Sequence, residues 1–286
     1  MKPKHLRKAT NTIIDKLTSI GVRLPFKLQR RDPKEPGRED KEALERKIYK
    51  LYRSKFLIEK TLVEENLLRL APNRKSLFGF DEDYYMAQLG GVWDNEELEA
   101  QLGNLLVLAT MNGVSLFEAS ATIGMDYTTV NMTAGDWARK YAGLLITGGK
   151  DPITGDVIRS IDTKTRDVIR TIIGDFIDTP GMTIGDAVKQ ISAAGFSDDR
   201  AMMIATTETT KAYAMADNIA GQQMKKEFHD VRVVKRWFTN NDDRVCPICG
   251  PNHLVTVELD EPFPSGDYQP PGHPRCRCWR STTTAL

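Results

Sequence analysis

All four cysteines of this 286-residue chain lie in two short segments, VCPICGPNH (residues 245–253) and PPGHPRCRCW (residues 270–279). Four cysteines in so long a chain do not indicate a disulfide framework, and the expected setting is the cytoplasm, where thiols stay reduced. Proline and glycine flank the cysteines and favour tight turns. The crowding of the thiols therefore predicts a local role for them near the C-terminus.

The cysteines and a neighbouring histidine have the spacing of a metal site. Cys246 and Cys249 form a C-x2-C pair, in which both thiolates can turn toward one point. Thiolates and imidazole suit zinc better than Mg2+ or Ca2+, and two compact ligand pairs joined by a loop are typical of a structural, tetrahedral Zn2+ site. The sequence predicts such a site, without an open catalytic position, from five candidate ligands: Cys246, Cys249, His273, Cys276 and Cys278.

Five candidates compete for four positions in the predicted site. Alternate residues of an extended strand point to opposite faces, so Cys276 and Cys278 are not both expected to be ligands if this stretch is extended. We expect the first cysteine pair, His273 and one of these two. Disulfides, reduced thiols in a core, and a catalytic zinc with Glu258 as the base are the alternatives.

Most of the chain ahead of the cysteines has the pattern of helices. A long helix is predicted over 41–70, where the 3.6-residue period includes Leu44, Ile48, Leu51, Tyr52, Lys55, Ile58 and Leu62. Further helices are predicted over 83–90, 94–111, 115–122, 133–145, 162–178, 183–194 and 198–223. β-branched and aromatic residues predict strands over 231–238, 255–259 and 276–281. The predicted fold class is α+β, with a mainly helical N-terminal two-thirds followed by a small β-rich C-terminal unit that holds a Cys/His, zinc-like knot.

The glycine-rich stretch ITGGKDPITGD (146–156) is the predicted internal boundary. The predicted organisation is a basic arm and linker (1–40), a helical domain (41–150) and a C-terminal domain (157–286), which contains helices over 162–223 and a β/zinc-like unit over 231–281.

Charge is concentrated at the N-terminus. The chain as a whole has a net charge of +1, but its first 31 residues contain nine lysines and arginines against one aspartate. A cationic arm of this kind can neutralise DNA phosphates without reading sequence. The alternatives are a solubilising tail or a docking helix with an apolar face at Ile13, Ile14, Leu17 and Ile20. No signal peptide and no apolar run near the ~18 residues of a membrane span is apparent, so no membrane contact is expected.

Several motifs around the cysteines resemble those of one protein family. The run KRWFTNNDDRVCPICGPNH (235–253), an acidic and aromatic spacer and then PPGHPRCRCW resemble the signature of the phage Mu protein F-like minor head proteins, also called phage head morphogenesis proteins. The segment SDDRAMMIATTETTKAYAMADNIAG (197–221) resembles the helix that precedes this signature, and the resemblance covers roughly 160–281. Thr206 departs from the family, which often has arginine there, and His253 is an extra potential ligand.

The resemblance implies a structural role in the phage head and no enzymatic activity. It implies that the protein is a minor component of the procapsid, with the portal protein and other procapsid proteins as partners, and that it assists head assembly and DNA packaging or delivery. The implied location is the virion, at the capsid interior or portal vertex, and the host cytoplasm during assembly. The zinc-like knot would be scaffolding and the helices would be the contacting surfaces.

The segment IATTETTKA contains a polar patch with two interpretations. Glu208, Thr207, Thr209 and Thr210 lie together on the predicted helix over 198–223. They could form a solvated face with local capping, or a buried hydrogen-bonded node that joins the helix to the β unit. Buried glutamates are usually paired, so the second interpretation requires a partner for Glu208.

Two other classes of protein remain as alternatives. An HNH-like nuclease also places C-x2-C near histidines, but it needs a histidine general base beside metal ligands. The chain has no His-His or Asp-His pair, and His229-Asp230 has the reverse order. A zinc-bearing DNA-binding protein is the second alternative, and it depends on the basic N-terminus. An enzymatic site within residues 1–150 would have only one histidine, His5, for catalysis, and this region has no glycine-rich phosphate loop.

Overall fold

The computed structural model describes six stretches of the chain: 31–70, 82–89, 95–121, 124–179, 182–240 and 242–285. The chain forms two compact units, Met1–Arg31 and Asp32–Leu286. The predicted basic arm lies outside the described residues up to residue 30, and so does the apolar face predicted for it. All helices and strands among the described residues belong to the second unit.

The second unit contains helices first and a small sheet at its C-terminal end. The helices are α1 (Arg38–Leu70), α2 (Glu82–Gln88), α3 (Glu96–Ser120), α4 (Tyr127–Thr147), α5 (Ile161–Asp178), α6 (Ile184–Gly195) and α7 (Asp198–Glu227). The strands are β1 (Gly149–Lys150), β2 (Val157–Ile158), β3 (Arg232–Phe238), β4 (Thr256–Glu258) and β5 (Trp279–Ala285). This order confirms the predicted α+β fold class.

Helix α7 is central to the second unit. It contacts α1, α3 and α4, and it also contacts β3 and β5 of the sheet. Small residues let neighbouring elements approach it closely, and its buried positions include Ala201, Ala205, Ala212, Ala216, Ala220 and Gly221. Helix α7 therefore belongs both to the helical core and to the support of the β unit.

Helix α3 is continuous, although the sequence predicts two helices over 94–111 and 115–122. Gly113 lies between the two predicted segments, and glycine weakens a helix. A Cβ at Gly113 would lie 2.6 Å from the Cβ of Ala216 in α7. The glycine therefore permits close packing of two helices and does not end α3.

By length and composition alone, α3 is apolar enough to cross a membrane. The sequence prediction did not single it out, because charged and polar residues interrupt its apolar ones. Leu102, Leu106 and Val114 of this helix are buried in the protein, and α3 contacts α1, α4 and α7. A helix that is buried at the centre of a helical core is apolar on most of its sides, and this burial explains the apolar composition of α3.

The buried face of α1 begins as the period predicts and then shifts. Leu44, Ile48 and Tyr52 are buried, but Leu62 is 36% exposed. Beyond Tyr52 the buried side chains are those of Phe56, Glu59, Val63 and Leu67. The buried face of α1 thus includes a carboxyl group that the apolar pattern does not reveal.

The predicted boundary stretch 146–156 contains a short hairpin, in which β1 pairs with β2. Helices before and after this hairpin share contacts, for example α3 and α4 with α7. The division into a helical domain (41–150) and a C-terminal domain (157–286) stays a prediction.

The C-terminal sheet is antiparallel, with β3 between β4 and β5. The third strand begins at Trp279 and not at residue 276, so the cysteines precede it. Asp217 of α7 lies against β5, where it accepts hydrogen bonds from the backbone N–H of Thr282 (3.0 Å) and from Nε of Arg280 (2.7 Å). Beneath the sheet is a small core of Trp237, Cys249, Phe263, Cys276 and Cys278.

Candidate metal centre

The C-x2-C pair forms a tight turn that directs backbone donors at a sulfur. The N–H of Cys249 lies 3.3 Å from Sγ of Cys246, and the N–H of Gly250 donates to the Cys246 carbonyl at 2.9 Å. Burial opposes ionisation of Cys246, but the N–H groups of Cys249 and Ile248 outweigh it and lower the pKa of this thiol. The turn is therefore arranged to hold a thiolate.

His273 and Cys276 form a second pair with the same spacing. The N–H of Cys276 donates to the His273 carbonyl at 3.2 Å. The His273 ring lies with Nδ1 2.7 Å from the carbonyl oxygen of Pro274. Because that oxygen can only accept, Nδ1 carries a hydrogen and Nε2 faces the sulfurs. Nε2 lies 3.1 Å from Sγ of Cys246.

All five predicted ligands come together in two overlapping groups. Cys246, Cys249 and His273 have ligand atoms within 4.8 Å of one another, and so do Cys249, Cys276 and Cys278. The sulfurs of Cys249 and Cys276 are 3.8 Å apart. Two thiolates bound tetrahedrally at about 2.3 Å from one zinc would be separated by about 3.8 Å. This pair thus has the separation that a shared zinc requires.

The thiols of the cluster compete for negative charge. A hydrogen bond from Cys249 lowers the pKa of Cys276, and the same interaction raises the pKa of Cys249. Cys249 lowers the pKa of Cys278, but Cys276 and burial outweigh it and raise that pKa to about 12. Hydrogen bonding to Cys276 raises the pKa of His273 to about 9. Buried thiolates repel one another, so a cation is needed before several can ionise together.

The donor set therefore fits a soft divalent metal such as zinc. The expected separation of Cys276 and Cys278 by strand alternation does not occur, because residues 276–278 precede β5. Both thiols face Cys249. Glu258, the base of the catalytic alternative, lies in β4 and accepts a 2.6 Å hydrogen bond from Nε of Arg232. His253 is not in either group; its Nδ1 accepts from the N–H of Thr239 at 3.1 Å.

The polar patch of α7 joins the helix to the second cysteine segment through its threonines. Oγ1 of Thr210 donates to the carbonyl of Cys276 at 2.9 Å. The N–H of Arg275 donates to Oγ1 of Thr207 at 2.9 Å, and Arg275 has a φ of 64°, a conformation unusual for a non-glycine residue. These bonds support the interpretation of a buried node between helix and β unit.

Glu208 is part of that buried patch but points elsewhere. It is 7% exposed, and its Oε2 accepts a 2.8 Å hydrogen bond from the Tyr141 hydroxyl of α4. The glutamate therefore joins two helices, whereas its threonine neighbours join α7 to the cysteine segment. The sequence indicated that Glu208 would need a partner but could not identify Tyr141.

A bidentate ion pair, which the sequence did not predict, links the second cysteine segment to the residues just before the first. The guanidinium of Arg277 donates to the two carboxylate oxygens of Asp242 at 2.7 and 3.0 Å. Asp242 lies four residues before Cys246, and Arg277 lies between the last two cysteines. The sequence signal for this ion pair was the presence of opposite charges beside the two segments. An arginine that binds a carboxylate through two hydrogen bonds holds it in a fixed geometry.

The fold and the site define a helical protein whose C-terminal β unit is built around a Cys/His cluster. Residues 167–281 match the family model described as Phage Mu protein F like protein. The match covers less than half of the chain and includes every candidate ligand. No curated protein and no solved structure matches the chain.

The match confirms the resemblance seen in the motifs, and residues 167–281 form a Mu protein F-like segment. It supports a role in phage head morphogenesis and an association with the virion. Such a role is structural and not catalytic. The cluster in the same segment has the donors for a metal ion.

Proposed function

We propose that the protein is a minor head protein that acts in procapsid assembly in association with the portal protein. The family match over 167–281 carries this proposal. The partner contacts are placed on the helices, and the β unit, which packs against α7, serves to hold the fold together. The location that follows is the capsid interior or portal vertex, reached from the host cytoplasm during assembly.

We further propose that zinc is the metal of the cluster and that its role is structural. Cys246, Cys249, His273 and Cys276 would hold it, because they form two pairs with the same x2 spacing and the Cys249–Cys276 separation is 3.8 Å. Cys278 would then be a buried neighbour of the site. When bound, zinc supplies a cross-link between two segments of a unit with a small core.

Co-purification with the portal protein tests the assembly role. The tagged chain is produced together with the portal and major head proteins of the same phage, and procapsids are isolated by sedimentation. We expect the chain in the procapsid fraction, and in a complex with the portal protein when the major head protein is left out. If the folded chain enters neither fraction, the proposed function is wrong.

The nuclease and DNA-binding alternatives are tested with plasmid DNA. With Mg2+ present, we expect the plasmid to stay intact, whereas an HNH-like nuclease would cleave it. Salt-dependent retardation without cleavage, lost on removal of residues 1–30, would support contact between the basic N-terminus and DNA during packaging or delivery. The structure supports the expected result, since His253 is hydrogen-bonded to Thr239 and His273 belongs to the cluster.

A further inference from the structure

A buried polar cluster joins α1, α3 and α5. Nζ of Lys55 in α1 lies 2.8 Å from Oδ1 of Asn95, at the start of α3, and 3.0 Å from Oδ1 of Asp162 in α5. Lys55 also contacts Glu59, one turn further along α1. The side chains of Lys55, Glu59 and Asp162 are 8%, 5% and 9% exposed, so little water reaches them.

Asn95 does not make the hydrogen bond that its position favours. It is the N-cap residue of α3, where an asparagine side chain usually accepts from a backbone N–H of the first turn, but it makes no such bond. Its carbonyl oxygen accepts from Lys55, and its amide nitrogen contacts the carboxylate of Asp162. The carboxamide is therefore held between an amine and an acid.

Glu59 has the properties of a proton carrier for this amine. One of its oxygens contacts Lys55, and the other, Oε2, has no hydrogen-bond partner within the described part of the chain. Burial raises the pKa of Glu59 to about 7, against the opposing influence of Lys55. A carboxyl group with a pKa near neutrality can both give and take a proton.

The charges around the cluster balance one another. Arg200 interacts electrostatically with Glu59 and Asp162, and its guanidinium stays charged. The charges of Asp162 and Arg200 cancel. Lys55 and Glu59 together also have no net charge, whether the proton that they share is on the amine or on the carboxyl group. A desolvated, neutral lysine amine is a nucleophile.

We propose that Lys55 and Asn95 form an intramolecular isopeptide bond, with Glu59 as the proton carrier. Nζ lies 2.8 Å from Oδ1, so Cγ of Asn95 is within about 4 Å of it, given a C=O bond of about 1.2 Å. Nζ attacks Cγ and a new C–N bond forms. Glu59 takes the third hydrogen of the Lys55 ammonium, which it contacts. The bond between Cγ and Nδ2 breaks, one further hydrogen passes from Nζ to the leaving nitrogen through the Asp162 carboxylate, which contacts both nitrogens, and ammonia departs. No oxidant or cofactor is consumed.

The product is a covalent link between α1 and the beginning of α3, at positions 40 residues apart. It restricts the unfolded chain in the way that a disulfide does. The reaction needs the folded cluster, because the amine and the Glu59 carboxyl come from α1 and the carboxamide from the beginning of α3. The proposal is independent of the metal site and of the role in the phage head.

Mass spectrometry of the full-length folded protein tests the proposal. After incubation at neutral pH and denaturation, we expect an intact mass lower than that of the sequence by one ammonia, about 17 Da. A tryptic digest is expected to contain a branched peptide in which the Lys55 and Asn95 segments are joined. A folded wild-type protein that retains its full mass would overturn the proposal.

Three variants separate this reaction from other losses of ammonia. Lys55→Arg and Glu59→Gln are expected to keep the full mass, with circular dichroism used to check that they fold. Lys60→Arg, the same type of change at a more exposed position of α1, is expected to lose ammonia like the wild type. Loss of ammonia from the Asn95 peptide of folded Lys55→Arg, located by tryptic digestion, would mean that Asn95 cyclises on its own backbone, and the proposal would be wrong. A cross-link in folded Glu59→Gln would overturn the role given to Glu59.

Discussion

The Tyr141 hydroxyl of α4 donates a 2.8 Å hydrogen bond to Oε2 of Glu208 in α7, in the interior of the helical core. The Tyr141 ring stacks on Trp137, with centroids 4.7 Å apart, and Nε1 of Trp137 donates to Asp151 of the hairpin at 3.1 Å. A continuous set of contacts therefore runs from α7 through α4 to the hairpin, and Glu208 is the acid at its inner end.

Glu208 is expected to make stability depend on pH. Burial raises its pKa from 4.5 to about 7. Between these values the folded state holds a proton that the unfolded state has released, so this contribution to stability falls as pH rises from about 4.5 to 7. Glu208→Gln mimics the protonated form. We expect its stability relative to wild type to increase by about 3 kcal/mol between pH 4.5 and 8, measured by urea unfolding.

Glu59 has a raised pKa as well, so the comparison uses the difference between Glu208→Gln and wild type and not either curve alone. Tyr141→Phe removes the hydrogen bond to Glu208 but keeps the carboxyl group, so it is the control for the contribution of that bond. A difference between wild type and Glu208→Gln that does not change with pH would mean that Glu208 titrates normally in the folded protein.

Removal of the first two candidate ligands is expected to unfold the β unit. For Cys246→Ser/Cys249→Ser we predict that bound zinc is lost. Because the β unit of this variant is already unfolded, the fluorescence change that Trp237 and Trp279 give when the wild type unfolds should be lost too. Most of the helical circular dichroism should remain. Elemental analysis of the wild type should show about one zinc per chain. Cys278→Ser is the matched control and should keep its zinc, whereas Cys276→Ser should lose it. The reverse result would make Cys278 the fourth ligand.

The threonines of α7 provide a sharp test of the node between helix and β unit. Thr210→Val removes the hydrogen bond to the Cys276 carbonyl, a buried acceptor. We therefore expect the free energy of unfolding, measured by chemical denaturation, to fall by about 1–2 kcal/mol. Thr209→Val is the control: its Oγ1 has no hydrogen-bond partner among the described residues, so this change should be neutral or slightly stabilising. Equal losses in both variants would mean that the node adds no stability.

The two glycines of α3 should respond in opposite ways to alanine. Gly113→Ala places a methyl group 2.6 Å from the Cβ of Ala216, and we expect a loss of about 1–3 kcal/mol from overpacking. At Gly103 the new Cβ would meet the Cβ of Ala142 at an ordinary 3.7 Å, so the better helix propensity of alanine should stabilise by up to about 1 kcal/mol. Thermal melting of the two variants measures this contrast.

Features set by neighbouring residues were predictable from the sequence. Thr183 and Asp186 have the spacing of a capping box and form one at the start of α6, and Ser197 caps α7 by accepting from the N–H of Arg200. The C-x2-C spacing likewise indicated that Cys246 and its partner would face one point. In each case the interacting groups are three residues apart, so their spacing in the sequence is enough to predict that they meet.

Features set by distant residues were not predictable. The contact between Lys55 and Asn95 joins different helices, and nothing near either residue indicates the other. The close packing of α3 at Gly113 depends on Ala216, about a hundred residues away, whose Cβ leaves no room for a side chain there. Strand alternation would separate Cys276 and Cys278 only if residues 276–278 were extended, and β5 begins after them, at Trp279. Tertiary packing decides each of these cases.

Asp217 has a consequence beyond its contacts with Thr282 and Arg280. The edge of a sheet presents unpaired N–H groups that can template pairing with another chain. On β5 the outward N–H of Thr282 is already bound by the Asp217 carboxylate, and the opposite edge strand, β4, has only three residues. Both edges of the sheet are therefore poorly suited to pairing with the sheet of a second copy of the chain.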